Sequence, residues 1–177
     1  MEYIKLLIIG AGISGIAVGR QASLQNIPFI ILEKSELPVG VWRYKSYPNI
    51  RLQTSKHDYS FKDEPMKDLV SDYPDRYEII DYFENIIDKY SIRSNIRYNC
   101  KVFEVIPKIK NSTRFDHHVI KYSDGLTFKW IKCSYIAICS GFYTKPKWPT
   151  NISINNFRGN ITHIRDYAVD RIQDQDT

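Results

Sequence analysis

The apolar positions of this chain follow two different periods. Residues 3 to 9 (YIKLLII) and 28 to 33 (PFIILE) are near-continuous apolar runs, the pattern of short strands buried on both faces. Residues 13 to 25 between them have the length and composition of a helix, so the first 33 residues predict a βαβ unit. From Leu37 to Lys67 no period is sustained, and Pro, Tyr, Ser and Lys are frequent. That predicts a long, mostly irregular segment, and such segments in compact domains usually carry function.

The helical period returns at residues 75 to 92, where Ile79, Ile80, Phe83, Ile86, Ile87 and Tyr90 fall on one stripe with charges between them. Asp75 is placed to cap this helix, and Glu78 completes the Asp form of a capping box. Three β-patterned runs follow at 96 to 106, 116 to 122 and 126 to 141, with Asp124-Gly125 as a hairpin turn between the last two. They predict a small β-meander, over about 96 to 133, inserted before the chain returns through YIAIC to a parallel sheet. The fold class expected is α/β, a Rossmann-like three-layer dinucleotide-binding fold with a β-meander insertion, in one domain over residues 1 to 177.

Composition narrows the function classes. At 177 residues and 43% apolar content the chain supports one globular core. The net charge of +5 is spread along the sequence, which argues against a nucleic-acid partner and for a solvated surface. Three cysteines, Cys100, Cys133 and Cys139, lack metal or disulfide-framework spacing and point to a reducing compartment. The first apolar run is broken by glycines and preceded by Glu2, unlike a signal peptide, and no run reaches the ~20 residues of a membrane span. A cytoplasmic protein without an integral membrane segment is expected, with peripheral membrane association left open. The histidines have no metal spacing, and no Ser–His–Asp order or carboxylate pair suggests hydrolysis.

The chemistry sits at Gly10-x-Gly12-x-x-Gly15, between the first strand and the first helix. There Gly10 permits a tight turn, Gly12 a close approach of backbone N–H groups to a pyrophosphate, and Gly15 tight helix–strand packing. Glu33, at the end of the second strand, is placed to accept hydrogen bonds from a ribose. These residues specify a dinucleotide but do not separate FAD from NAD.

The residues downstream resemble a known family. EKSELPVGVWRY places Gly40 and Trp42 after the acid; YPNIRLQTSKHDYSF and DEP follow; CSGFYTKPKWP ends the last strand. FRGNITHIRDY fits F-x-G-x-x-x-H-x-x-x-Y at Phe157, Gly159, His163 and Tyr167. Together they resemble the flavin-containing monooxygenase family, and RLQTSKHDYSF is most similar to its plant-type members.

The resemblance implies FAD at Gly10, Gly12, Ser14 and Gly15, with Glu33 on the adenosine ribose. Gly40, Trp42, Gln53 and Thr54 would lie along the cofactor, and Ser140 and Gly141 would form a second contact near the flavin. Gln53 stands where animal members have an asparagine that helps hold the oxygenated flavin, and takes the catalytic position here. Val39 departs from the family, occupying the first place of a Gly-Gly pair. His163 is implied as a brace for an interdomain linker, while Trp130 and Trp148 read as ordinary aromatics.

The implied activity is NADPH- and O2-dependent oxygenation of a soft nitrogen or sulfur centre in a small-molecule substrate. None of the eight glycines forms a second fingerprint. The expectation is therefore the FAD-binding portion of such an enzyme, without an NADPH-binding domain and inactive with NADPH alone. The alternative is a non-catalytic flavin-binding or scaffolding protein derived from one. Substrate identity and oligomeric state stay open.

Overall fold

The computed structural model describes residues 1–47, 49–108, 117–142, 146–152 and 157–164. Tyr167, the last position of the F-x-G-x-x-x-H-x-x-x-Y pattern, lies outside the described residues.

Strand β1 (Glu2–Ile9) leads through the glycine turn into helix α1 (Ile13–Leu24), and β2 (Phe29–Leu32) returns parallel to β1 with Leu7 opposite Ile30. All four residues of β2 are buried, which explains its unbroken apolar run. Two single turns, α2 (Val41–Tyr44) and α3 (Lys56–Tyr59), punctuate the segment for which the sequence predicts mostly irregular structure. That segment is pinned at several points. Leu52 N and Lys56 N donate to Pro74 O and Asp72 O, each at 2.8 Å. Lys56 is 6% exposed, and its ammonium donates to Val70 O at 2.7 Å.

Helix α4 (Arg76–Lys89) begins as its sequence requires. Asp75 accepts from Tyr77 N and Glu78 N, and Glu78 accepts from Asp75 N at 2.9 Å, closing the capping box. Ile79, Ile80, Phe83, Ile86 and Ile87 are buried against Ile8, Ile16 and Ile31, so α1 and α4 share one face of the sheet. Arg20 of α1 joins the two helices. It donates to Asp63 Oδ2 at 2.5 Å and to Tyr90 OH at 3.0 Å, with its guanidinium between the rings of Phe61 and Tyr90.

The remaining strands are β3 (Ile96–Arg97), β4 (Lys101–Ile106), β5 (His118–Ser123) and β6 (Phe128–Ile138). The order β3-β2-β1-β6-β5-β4 makes one six-stranded sheet, parallel from β3 to β6 and antiparallel from β6 to β4. The α/β Rossmann-like fold class is as the sequence predicts.

One element differs from its sequence reading. The run from 96 to 106 is two strands on opposite edges of the sheet, divided at Asn99, whose φ of +55° turns the chain. The crossing is short because the antiparallel strands curl back over the second face of the parallel ones. Ile120, Tyr122, Ile131 and Cys133 pack in one cluster with Leu7, Ile30 and Leu32. Arg97 of β3 accordingly reaches Tyr122 OH of β5 at 3.4 Å and also pairs with Glu2. The layers are therefore helices, parallel sheet and curled antiparallel strands.

Candidate functional site

The carboxyl ends of β1, β2 and β6 converge, and the glycines decide how closely. Gly10 has φ +101°, and a Cβ there would lie 2.6 Å from Cys139 O, so the end of β6 presses on the turn. A Cβ at Gly15 would lie 1.9 Å from Gly10 O, so the first turn of α1 closes directly onto β1. Gly12 is different. It has an ordinary φ of −72° and is the N-cap of α1, yet a Cβ there would meet nothing within 4 Å.

Helix α1 therefore starts without a side-chain cap and without an acid in its first turn. Its leading N–H groups have no intrahelical partner by geometry, and the space beside Gly12 is open. That is the arrangement that receives a phosphate, since the helix N-terminus carries partial positive charge. The site fits the pyrophosphate of a dinucleotide.

Glu33 lies at the end of β2, 5% exposed, with its carboxylate bound by backbone. One oxygen accepts from Ala11 N at 2.7 Å and the other from Ser35 N at 2.8 Å. Each oxygen keeps a second lone pair, so two hydroxyl donors can still be accepted. The Ala11 bond is one that sequence reasoning missed, because its partner is a backbone amide and no residue type signals it.

The segment after Glu33 folds back onto the glycine turn. Val39 N donates to Ala11 O at 2.8 Å, and a Cβ on Gly40 would stand 3.1 Å from Gly12 Cα. Gly40 has φ +52°, and Val39 has φ +75° while being 1% exposed. A β-branched residue in the left-handed region is strained. The chain thus retains, with valine, the backbone turn for which the resemblance implies glycine.

Trp42 follows on α2 and donates from Nε1 to Tyr59 OH at 2.6 Å, the rings meeting edge to face at 5.9 Å. Burial raises the Tyr59 phenol above its usual value, with the Trp42 bond opposing the shift. Trp42 also lines a cavity of about 460 Å³, with Tyr47, Ile50, Pro146, His163 and Ile164 among its other walls.

The structure gathers Gly10, Gly12, Gly15, Glu33, Gly40 and Ser140 at one point, the last through its Cα, 3.7 Å from the position of a Gly10 Cβ. Ser14 is exposed on the first turn of α1. Gly141, at φ +85°, turns the chain away after β6. Gln53 and Thr54 are exposed on a bend before α3, and no hydrogen bond among the described residues involves their side chains. Among the described residues, no His, Cys, Asp and Glu cluster could hold a metal, and no helix is long and apolar enough to cross a membrane.

Comparison with known proteins agrees with this geometry. The model of the FMO-like family, flavin-binding monooxygenase-like proteins, matches residues 4–175. The chain belongs to this family. An uncharacterized monooxygenase, y4iD, of Sinorhizobium fredii is 29% identical over 159 residues, covering 90% of this chain and 23% of that protein. The probable indole-3-pyruvate monooxygenase YUCCA7 of Arabidopsis thaliana is 25% identical over 170 residues, covering 91% and 37%. Among solved structures, a variant of the flavin monooxygenase from Stenotrophomonas maltophilia superposes with a TM-score of 0.78 at 20% identity, over 95% of this chain and 47% of that one. The chain spans between about a quarter and just over a third of the length of these two sequence relatives.

Proposed function

We propose that this chain holds FAD and forms the flavin-binding part of a monooxygenase that oxygenates a soft nitrogen or sulfur centre, using NADPH and O2. The observation that carries the reading is the uncapped start of α1 at Gly12, opening on free space with the Glu33 carboxylate fixed beside it. When bound, FAD supplies the redox chemistry with dioxygen, and the protein supplies position and electrostatics.

Each side chain then has a defined task. The N–H groups of the first turn of α1, at Ile13, Ser14 and Gly15, would donate to the pyrophosphate. Glu33 would accept from the adenosine ribose with the lone pairs its backbone bonds leave free. Gly40 lets the covering loop lie against Gly12, and Trp42 begins the apolar wall that keeps water from the ring end of the cofactor. Gln53 and Thr54 would lie along that end, and Ser140 and Gly141, just beyond β6, would close it. Gln53, an amide with both donor and acceptor, is the polar group assigned to hold the oxygen-bearing end in place.

Two measurements test this reading. Purified protein should bind FAD at least tenfold more tightly than NAD(P), and an equal preference would refute the assignment. The sequence has one glycine fingerprint, so the nicotinamide-binding region of a relative is added in trans with NADPH and a thioether. Oxygenation of the thioether supports the monooxygenase reading, and FAD binding without it would leave a flavin-binding protein only.

A further inference from the structure

The antiparallel strands turn one face to the core and the other outward. Ile120, Tyr122, Ile131 and Cys133 are buried, whereas Phe103, Phe128 and Trp130 are 53%, 59% and 39% exposed. Leu126, at the tip of the β5–β6 hairpin, is 92% exposed. Phe103 and Phe128 meet edge to face at 5.3 Å. Lysines lie over these rings: Lys101 stands 5.0 Å from the Phe103 centroid, and Lys121 stands 4.6 Å from Phe128 and 5.4 Å from Trp130. The acids of these elements are Glu104 and Asp124, and Asp124 is already paired with Lys129 at 2.5 Å. An apolar patch of this kind marks an interaction surface.

Charge and ring geometry choose among its partners. A second copy would bring the same lysines, and like charges would oppose it. Single-stranded nucleic acid binds such surfaces by stacking bases on aromatic faces. Here Lys101 and Lys121 already stand over those faces. What stays accessible is the Leu126 side chain and the half-exposed rings, with the ammonium groups of Lys101 and Lys121 held beside them. Apolar groups flanked by such cations suit the boundary of an anionic bilayer, where lysines extend to the headgroups.

We propose that the outer face of β4, β5 and β6, with Leu126 at its tip, rests on an anionic lipid surface. Leu126, Phe128 and Phe103 enter the headgroup boundary, and Lys101 and Lys121 meet lipid phosphates. The proposal does not depend on the flavin assignment.

The test is co-sedimentation of the 177-residue chain with vesicles of phosphatidylcholine alone or with about one-third phosphatidylglycerol. Binding should be at least roughly tenfold stronger to the anionic vesicles and should fall as salt rises. The Leu126→Asp/Phe128→Asp and the Lys101→Glu/Lys121→Glu variants should each lose roughly tenfold or more while melting like the wild type. If the first pair does not fold, Leu126→Ser in the exposed turn replaces it. Equal binding to neutral and anionic vesicles, or binding untouched by both variants, overturns the proposal. So does an absence of vesicle binding combined with self-association, or with single-stranded oligonucleotide binding that these substitutions abolish.

Discussion

Glu33 accepts the Ala11 amide at 2.7 Å, so the acid that ends β2 also holds the backbone between Gly10 and Gly12. The residue proposed to read a ribose is therefore part of the frame of the site. Glu33→Ala should lower unfolding stability without ligand by about 1.5–3 kcal/mol, the range for hydrogen bonds to a charged group, and should also weaken FAD. Glu33→Gln keeps one acceptor oxygen and should lose less stability. Denaturant melts with and without FAD check both, and an unchanged ligand-free midpoint in Glu33→Ala would show that the Ala11 bond carries no stability.

Gly12 and Gly15 should separate binding from folding. Gly12→Ala places a methyl in open space at an ordinary φ, so the fold should be kept or slightly stabilised, while FAD affinity falls at least tenfold. Gly15→Ala drives a methyl to 1.9 Å from Gly10 O and should cost about 1–3 kcal/mol or more before any ligand is added. Thermal melts and FAD titrations of the two variants should rank them in opposite order.

Val39 offers a measure of strain. Val39→Ala removes buried methyl groups but keeps a side chain at φ +75°, whereas Val39→Gly removes both methyls and strain. Glycine should therefore be the more stable of the two by about 1 kcal/mol, the reverse of the usual order. Chemical denaturation of the pair decides it, and alanine proving more stable would mean that the turn is not strained.

The β5–β6 hairpin should respond to acid. Lys129 at 2.5 Å, then the amides of Thr127 and Leu126, hold the Asp124 carboxyl well below its usual range. A depressed acid stabilises the fold fully above the unfolded value of about 3.9 and loses that contribution as pH falls through its folded pKa. Lys129 is raised by the same pair, so its contribution lasts through neutral pH and is lost only at high pH. The amide shifts of Leu126 and Thr127 should hold constant down to pH about 4 and titrate below it. A midpoint at the ordinary Asp value would show that the pair does not form.

The legible parts of this chain were those set by local pattern. The apolar runs of β1 and β2, the stripe of α4 and the Asp75–Glu78 capping box all depend on residues close in sequence. The break inside 96 to 106 did not show, because Asn99 at φ +55° interrupts an otherwise continuous β pattern. The buried Lys56 did not show either, since lysine is ordinarily a surface residue and its acceptor carbonyl comes from Val70. At the site, the glycine spacing and Glu33 could be read from residue types. The Ala11–Glu33 bond and the Trp42–Tyr59 pair could not, because each is made by the way separate loops are packed.

Strand β6 belongs to both halves of the sheet at once, pairing with β5 over Phe128–Cys133 and with β1 from Ile131 to Ile138. Its 11 residues run without interruption from the hairpin to the doorstep of Ser140. At about 3.3 Å per residue, this strand traces a path of roughly 35 Å from the hairpin towards the glycine turn. Because a paired strand resists compression and sliding, anything that seats the hairpin also sets the height and tilt of the cofactor groove above it. A ligand arriving from the same surface would then meet the groove at a fixed stand-off.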